Sequence, residues 1–370
     1  MSLDIFLASD LHLGMKFAGY PGAQGALVEA RFTALRNVVT AANEAGSDLL
    51  VIAGDLFERV GVAVRDIARA AEALRGFQGR LVAVLPGNHD YHSPGDTLWP
   101  KFRESCGDAV MLLDQPRPYP LRHYDLEACL YPGPCGARHS ATHAVGWVRA
   151  AVKDGSLRHH IGVAHGSLEG FSPDIDERYY PMRASELLEA GVHLWLLGHT
   201  HERYPERPGA RDRIFYAGTP EPDGFDCRHE GGAWHLRLDD DGAVSARAVR
   251  TGSLRFVEER VEVRSAEDLE RVERRYGGDE ARSVLLRLLL EGRVPRDLIA
   301  GTGALGTRMA RKLLHLELHA DGLREEITRE AIDREYPAGS FPHLLLMRLS
   351  ESGDQDAMEA AHSLLQRLRS

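Results

Sequence analysis

Cysteine is scarce in this sequence. Cys106, Cys129, Cys135 and Cys227 are the only four in 370 residues, and no two stand in a CxxC spacing. Reduced thiols are expected rather than a disulfide framework. Long apolar runs are also missing: none approaches the ~18 residues of a membrane span, so no membrane partner is expected. The opening Met1-Ser2-Leu3-Asp4-Ile5 lacks the basic region and apolar core of a secretion signal, and a cytoplasmic protein is expected. Positive charge is in deficit, with 45 Lys and Arg against 55 Asp and Glu and a net charge of -10. That balance argues against a general nucleic-acid coat protein. It leaves DNA open as a substrate, because a local basic groove or bound cations can coexist with an acidic remainder.

What the chain does have is enough apolar residue, 43%, to bury a large core, and a recurring pattern of buried strands that end in polar residues. Leu3 to Ser9 reads as a strand running into Asp10-Leu11-His12-Leu13-Gly14. In extended geometry Asp10 and His12, two apart, would face one side and could grip one metal. A helical pattern from Ala26 to Ala45 leads to the strand Leu49 to Ala53, which ends in Gly54-Asp55-Leu56-Phe57-Glu58. A second helix, Val64 to Gly76, precedes the strand Leu81 to Leu85 and then Pro86-Gly87-Asn88-His89-Asp90. This βαβαβ rhythm predicts parallel strands covered by helices.

Tyr91 to Arg158 is rich in proline and reads as loops with short strands near 109–113 and 127–131. Its histidines, His92, His123, His139 and His143, read as surface residues. Order returns with the strand His160 to Ala164, ending in His165-Gly166, and with Val192 to Leu197, ending in Gly198-His199-Thr200-His201. Arg213 to Ala217 is a further strand, and Gly232 to Leu238 with Val244 to Arg250 forms an antiparallel pair. Beyond Ser253 the text is charged helix (Glu267 to Tyr276), an apolar run (Val284 to Leu290), a glycine-rich stretch (Gly301 to Gly306), a strand (Lys312 to His319) and helices near 324–335 and 355–368. The chain after Pro342 leaves room for one good helix. The domain division expected is 1–252, an accessory α+β domain at 253–345, and a terminal helix at 346–370.

Collected, the strand ends supply Asp10, His12, Asp55, Asn88, His89, His165, His199 and His201. The carboxyl ends of the strands of one parallel sheet converge on a single crevice. Carboxylate, amide and imidazole donors without thiolate suit Mn²⁺, Fe or Zn rather than a structural Cys-type zinc site. One bridging acid with ligands for two ions describes a two-metal site, whose chemistry is phosphoester hydrolysis.

The ordered motifs DLHLG, GDLFE, GNHD, AHG and GHTH resemble the calcineurin-like metallophosphoesterase superfamily over about Leu3 to Arg250. The resemblance implies an α/β metallophosphoesterase sandwich of two mixed β-sheets flanked by helices, followed by a small α+β capping domain. It implies two divalent ions, Mn²⁺ first among Mn²⁺, Fe, Zn and Mg. One ion would take Asp10, His12, Asp55 and His201; the other would share Asp55 and take Asn88, His165 and His199. His89 would steady the phosphate and protonate the leaving oxygen. Glu58 stands where relatives carry His or Asp supporting the catalytic histidine, and would accept a hydrogen bond from His89.

Within the superfamily, SDLHLG, GDLF, GNHD and Tyr216 to Pro222 with Gly224-Phe225-Asp226 resemble the SbcD-type DNA repair exonucleases. That branch implies cleavage of DNA ends, hairpins or single strands, a homodimer, and a coiled-coil ATPase partner of SbcC type docked on helices beyond the capping domain. The alternative is a small-molecule phosphodiesterase or phosphoprotein phosphatase. Gly54 to Arg59 places an acid and an arginine where protein phosphatases carry theirs, although Val60 replaces their next glycine. A third class, a scaffold with the fold but not the chemistry, would be expected to have lost ligands, and every expected type is present.

Overall fold

The computed structural model describes residues 2–368. It divides into two compact units, Met1–Phe256 and Val257–Ser370. The first contains β1 (Leu3–Ala8), α1 (Gln24–Glu44), β2 (Leu49–Ala53), α2 (Val64–Arg75), β3 (Leu81–Leu85), α3 (Leu98–Cys106), β4 (Val110–Leu112), β5 (Tyr119–Pro120), β6 (Ala128–Gly133), β7 (His159–His165), α4 (Ala184–Glu189), β8 (Leu194–Gly198), β9 (Ile214–Tyr216), β10 (Gly232–Leu238) and β11 (Val244–Arg250).

These strands form two mixed sheets, in the orders β11-β10-β1-β2-β3-β4 and β5-β6-β7-β8-β9. In the first, β1 to β4 are parallel and β10 and β11 antiparallel. Alternation along each strand explains the layers. Ile5 and Leu7 point into a core shared with Ile161, Val163, Leu194 and Leu196 of the second sheet. Phe6 and Ala8 point the other way, against Phe32, Leu35 and Val38 of α1 and Ile67 and Leu74 of α2. The far face of the second sheet, with Tyr131, Trp195 and Leu197, packs on Leu187 of α4.

The fold is therefore α/β with two mixed sheets flanked by helices, and one reading from strand rhythm is corrected. The five polar strand ends do not belong to one parallel sheet. β1, β2 and β3 lie in one sheet and β7 and β8 in the other, and the strand ends meet where the two faces touch. Helix α3 is a second correction, since it lies inside the stretch read as loops. Pro100 sits in its first turn, where a missing N–H costs nothing, while Leu98, Trp99, Phe102 and Cys106 are buried.

The second unit contains β12 (Arg255–Glu262, which begins at the boundary), α5 (Ala266–Arg275), β13 (Val284–Val294), α6 (Arg296–Ala310), β14 (His315–Glu325), α7 (Arg329–Glu335), α8 (Phe341–Ser352) and α9 (Gln355–Arg367). Its sheet runs β12-β13-β14, with β13 and β14 parallel across α6. The glycine-rich stretch is helical. A Cβ on Gly306 would lie 3.0 Å from the Leu318 side chain, so the missing side chain lets α6 close on β14. The helix expected from Arg324 starts at Arg329, because Arg324 and Glu325 still pair with Arg293 and Val294. Two helices follow Ser340 rather than one. Pro342 is tolerated in the first turn of α8, Ser340 and Asp354 cap the two starts, and Gly353 turns the chain between them at φ 74°. Leu346, Met358 and Leu365 of α8 and α9 bury with Ile332 and Tyr336. Among the described residues no helix is long and apolar enough to cross a membrane.

Gly198 is one of the tight joints between the two sheets. A Cβ there would sit 2.1 Å from the Ala53 carbonyl and 2.7 Å from Ser9 Cβ. Gly198→Ala is expected to cost about 2–3 kcal/mol by overpacking, measured as a drop in the denaturant midpoint at unchanged slope.

Candidate metal centre

The centre is built on unusual backbone. Asp10, His12 and Asp55 have φ of 55°, 47° and 51°, and His199 has φ of 104°. Non-glycine residues rarely adopt these angles, and each costs about 1–3 kcal/mol unless its surroundings hold it. Here the surroundings do. The chain after β1 runs beside the chain after β2, with Asp10 N donating to Gly54 O at 3.1 Å, His12 N to Asp55 O at 3.0 Å and Leu13 N to Leu56 O at 2.9 Å. The two-apart spacing of Asp10 and His12 thus works through left-handed residues, not through the extended geometry expected. Gly54, at φ 92°, lets β2 pass so close to His165 that a Cβ would meet its Nδ1 at 2.1 Å.

All seven predicted ligands converge. His12 Nε2 lies 3.2 Å from His201 Nε2, 3.7 Å from Asp55 Oδ2 and 4.0 Å from Asp10 Oδ1. On the other side His165 Nε2 is 3.2 Å from Asp55 Oδ2 and 2.9 Å from Asn88 Oδ1, which His199 Nδ1 also reaches at 3.1 Å. Asp55 is the residue common to both groups. Ligand atoms within 4.8 Å of one another occur in Asp10, His12 and His201, in His12, Asp55 and His89, and in Asp10, Asp55 and His165.

The carboxylates are held by hydrogen bonds from the chain itself. Asp55 Oδ1 accepts His89 N at 2.8 Å, and the Asp10 carboxylate accepts His199 N at 3.0 Å and the Ser9 hydroxyl at 2.5 Å. Burial opposes the charge on Asp55, but the facing His165 imidazolium outweighs it and holds the carboxyl well below its usual range. Burial likewise opposes charge on His165 and His201, yet Asp55 draws the first up to about 9 and Asp223 and Asp10 draw the second up to about 9. His199 goes the other way, to about 4, through burial and its neighbour His165. This set of carboxylate, amide-oxygen and imidazole donors demands positive charge at its middle, with Asn88 Oδ1 facing His165 and His199. The residues fit divalent cations.

His89 and Glu58 do not pair as the sequence suggested. His89 Nδ1 lies 3.0 Å from the backbone carbonyl of Glu58 and 3.8 Å from its carboxylate. A carbonyl only accepts, so Nδ1 carries the proton and Nε2 is free. The Glu58 carboxylate lies instead beside His12 Nδ1, an ion-pair contact at 2.9 Å that is not aligned as a hydrogen bond. Burial lowers the His89 pKa, with the Asp55 charge opposing it.

Several residues of the centre were not among those expected. Asp223 Oδ2 lies 2.8 Å from His201 Nδ1, and buried Arg31 of α1 stands 3.3 Å from the same oxygen. Arg31 Nη1 also donates to Thr219 Oγ1 at 2.9 Å, and Thr219 donates to the Asp10 carbonyl at 3.0 Å. Asp223 is the unassigned position between Pro222 and Gly224 in the segment that carried the resemblance. Nothing in the local pattern around Arg31 distinguishes it from any helix arginine. Asp90, fully buried, accepts Gly87 N at 2.7 Å and Phe57 N at 2.9 Å, tying the turn after β3 to that after β2. Burial, with the Asp55 charge adding to it, pushes Asp90 up to about 8. Asp90→Ala strands both amides and is expected to cost about 2–4 kcal/mol, read from denaturant unfolding of the metal-free protein.

The profile of the calcineurin-like phosphoesterase family matches residues 3–203, more than half of the chain. A curated relative, the uncharacterized metallophosphoesterase YhaO of Bacillus subtilis (strain 168), is 24% identical over 320 residues, covering 79% of this chain and 72% of its own. Among solved structures, TT1561 of Thermus thermophilus overlays with 13% identity and a TM-score of 0.37, covering 68% of this chain and all of that one, 100%. Purple acid phosphatase PPD1 from yellow lupin (Lupinus luteus) seeds overlays with 13% identity and a TM-score of 0.40, covering 68% of this chain and 52% of that one. With its five strand-end motifs gathered around two buried carboxylates, this chain belongs to the calcineurin-like phosphoesterase family.

Proposed function

We propose that this metallophosphoesterase is a two-metal phosphodiester hydrolase acting on DNA, an exonuclease or endonuclease of SbcD type with Mn²⁺ as its working ion. The observation that carries the DNA reading is the role of the segment Gly218 to Asp226. The segment that resembles the nuclease branch is joined to the centre, Thr219 to the Asp10 loop and the intervening Asp223 to His201. The second unit takes the accessory role that the resemblance implies. Phe341, Leu344, Leu364 and Leu368 are exposed on or just after α8 and α9, which supports a docked partner such as a coiled-coil ATPase.

Asp10, His12, Asp55 and His201 would hold one ion, and Asp55, Asn88, His165 and His199 the other. Bound ions supply an activated water and neutralise phosphate oxygens. The protein's own part is to fix Asp55 between the two positions through His89 N, and to aim His89. With Nδ1–H committed to the Glu58 carbonyl, the imidazolium presents Nε2–H to the leaving oxygen as general acid. An anionic phosphodiester beside the ring counters the burial that lowers its pKa.

A second reading has its own support. The groove of about 990 Å³ beside His199 and His201 is lined by Asp174, Glu202, Glu206 and Asp226 as well as Arg203 and Arg228. Such a wall disfavours an extended polyanion and suits a small diester.

The deciding experiment is Mn²⁺-dependent cleavage of end-labelled duplex, hairpin and single-stranded DNA beside bis-p-nitrophenyl phosphate. Release of label from DNA is expected; hydrolysis confined to the small diester would overturn the DNA reading. His89→Ala is expected to bind Mn²⁺ like the parent while turnover falls about 10²- to 10⁴-fold. Parental turnover in that variant would remove His89 as the acid. Asp55→Ala is expected to weaken binding at both positions in a calorimetric titration.

A further inference from the structure

The two halves of the centre differ in what stands behind the imidazoles. His12 and His201 each have a carboxylate at ion-pair distance from Nδ1, Glu58 at 2.9 Å and Asp223 at 2.8 Å. His165 turns Nδ1 to the Ala53 carbonyl at 2.9 Å, a neutral acceptor. The donors differ in the same sense. Asp10 and Asp55 both approach His12 directly, whereas His165 has Asp55 at 3.2 Å and the uncharged Asn88 at 2.9 Å, with Asp10 standing further off within 4.8 Å.

A carboxylate behind a histidine fixes the ring and makes its free nitrogen a stronger donor; losing one such partner weakens metal binding about 10- to 100-fold. Asp223 is well placed for this. Arg31, 1% exposed, holds its oxygen at 3.3 Å and is itself tied to Thr219 and to the Asp10 and Leu11 carbonyls. The guanidinium offsets part of the Asp223 charge and stands 3.3 Å from its carboxylate, on the side away from solvent.

We infer that Asp223 and Glu58 are positioning residues that make the Asp10–His12–His201 position the tighter of two metal positions, leaving the Asn88–His165–His199 position to exchange. The inference rests on the two-ion reading of the centre. It assigns sequential loading: the first ion enters the carboxylate-backed position, and the second is held weakly enough that its concentration sets the active fraction.

The test is calorimetric titration of Mn²⁺ into the metal-free full-length protein, with electron paramagnetic resonance of the one-equivalent sample. The parent is expected to show two classes of site, and at one equivalent the spectrum of an isolated Mn²⁺. Asn88→Ala should lose the weaker class and keep the tighter. Asp223→Asn and Glu58→Gln should each weaken the tighter class about 10- to 100-fold, with Asp223→Glu recovering part of the loss. Circular dichroism melting checks that each variant folds. If Asp223→Asn does not, Glu58→Gln carries the test, because its side chain is a quarter exposed (25%). Equal affinities in the parent, loss of the tighter class in Asn88→Ala, or an unmoved tighter class in the folded carboxylate variants would overturn the inference alone. Fewer than two ions bound by the parent would overturn the two-ion reading and this inference with it.

Discussion

Two carboxylates buried in the middle of a protein, ringed by imidazoles rather than by lysine or arginine, govern how this chain is built. Asp10 and Asp55 are 0% and 1% exposed, and His12, His165 and His201 face them. A buried charge without compensation costs several kcal/mol, so it must find either protons on its neighbours or cations between them. His165 and His201, both drawn up to about 9, can supply the first, and imidazoles can make way for the second. That exchange is what suits the site to metals.

Holding such a site requires the surrounding backbone to carry strain. Four of its residues sit at positive φ, and the cost is offset by the sheet-like hydrogen bonds between the chains leaving β1 and β2 and by the large core beneath them. The same demand for closeness explains why glycines stand at Gly54 and Gly198, where side chains would strike His165 or Ala53. Asp90 serves this frame rather than the chemistry. It receives two backbone amides and, pushed up to about 8, can do so without adding another full charge near Asp55.

Function then turns on what lies just outside the donors. Glu58, expected behind His89, stands behind His12, and Asp223 stands behind His201. His89 is left with a carbonyl, which fixes its tautomer without charging it. The division sets negative charge behind His12 and His201 and leaves His89 against a neutral carbonyl.

The strand ends, their order and the donor types were legible in the sequence, because apolar runs closed by Gly, Asp, Asn and His signal buried strands that deliver polar groups at their ends. The antiparallel pair β10 and β11 was legible for the same reason, its turn residues being local. What sequence could not carry was anything depending on a distant partner. Rhythm alone placed five strands in one sheet, but the pairing of β7 and β8 with β6 and β9 is a long-range choice that puts them in another. Helix α3 and the glycine-containing α6 were hidden because packing, not propensity, holds them. Arg31 on Asp223, and Glu58 on His12 rather than His89, were decided only when α1 and the strand-end loops came together, since a side chain's choice between two histidines is a matter of ångströms that no spacing in the chain encodes.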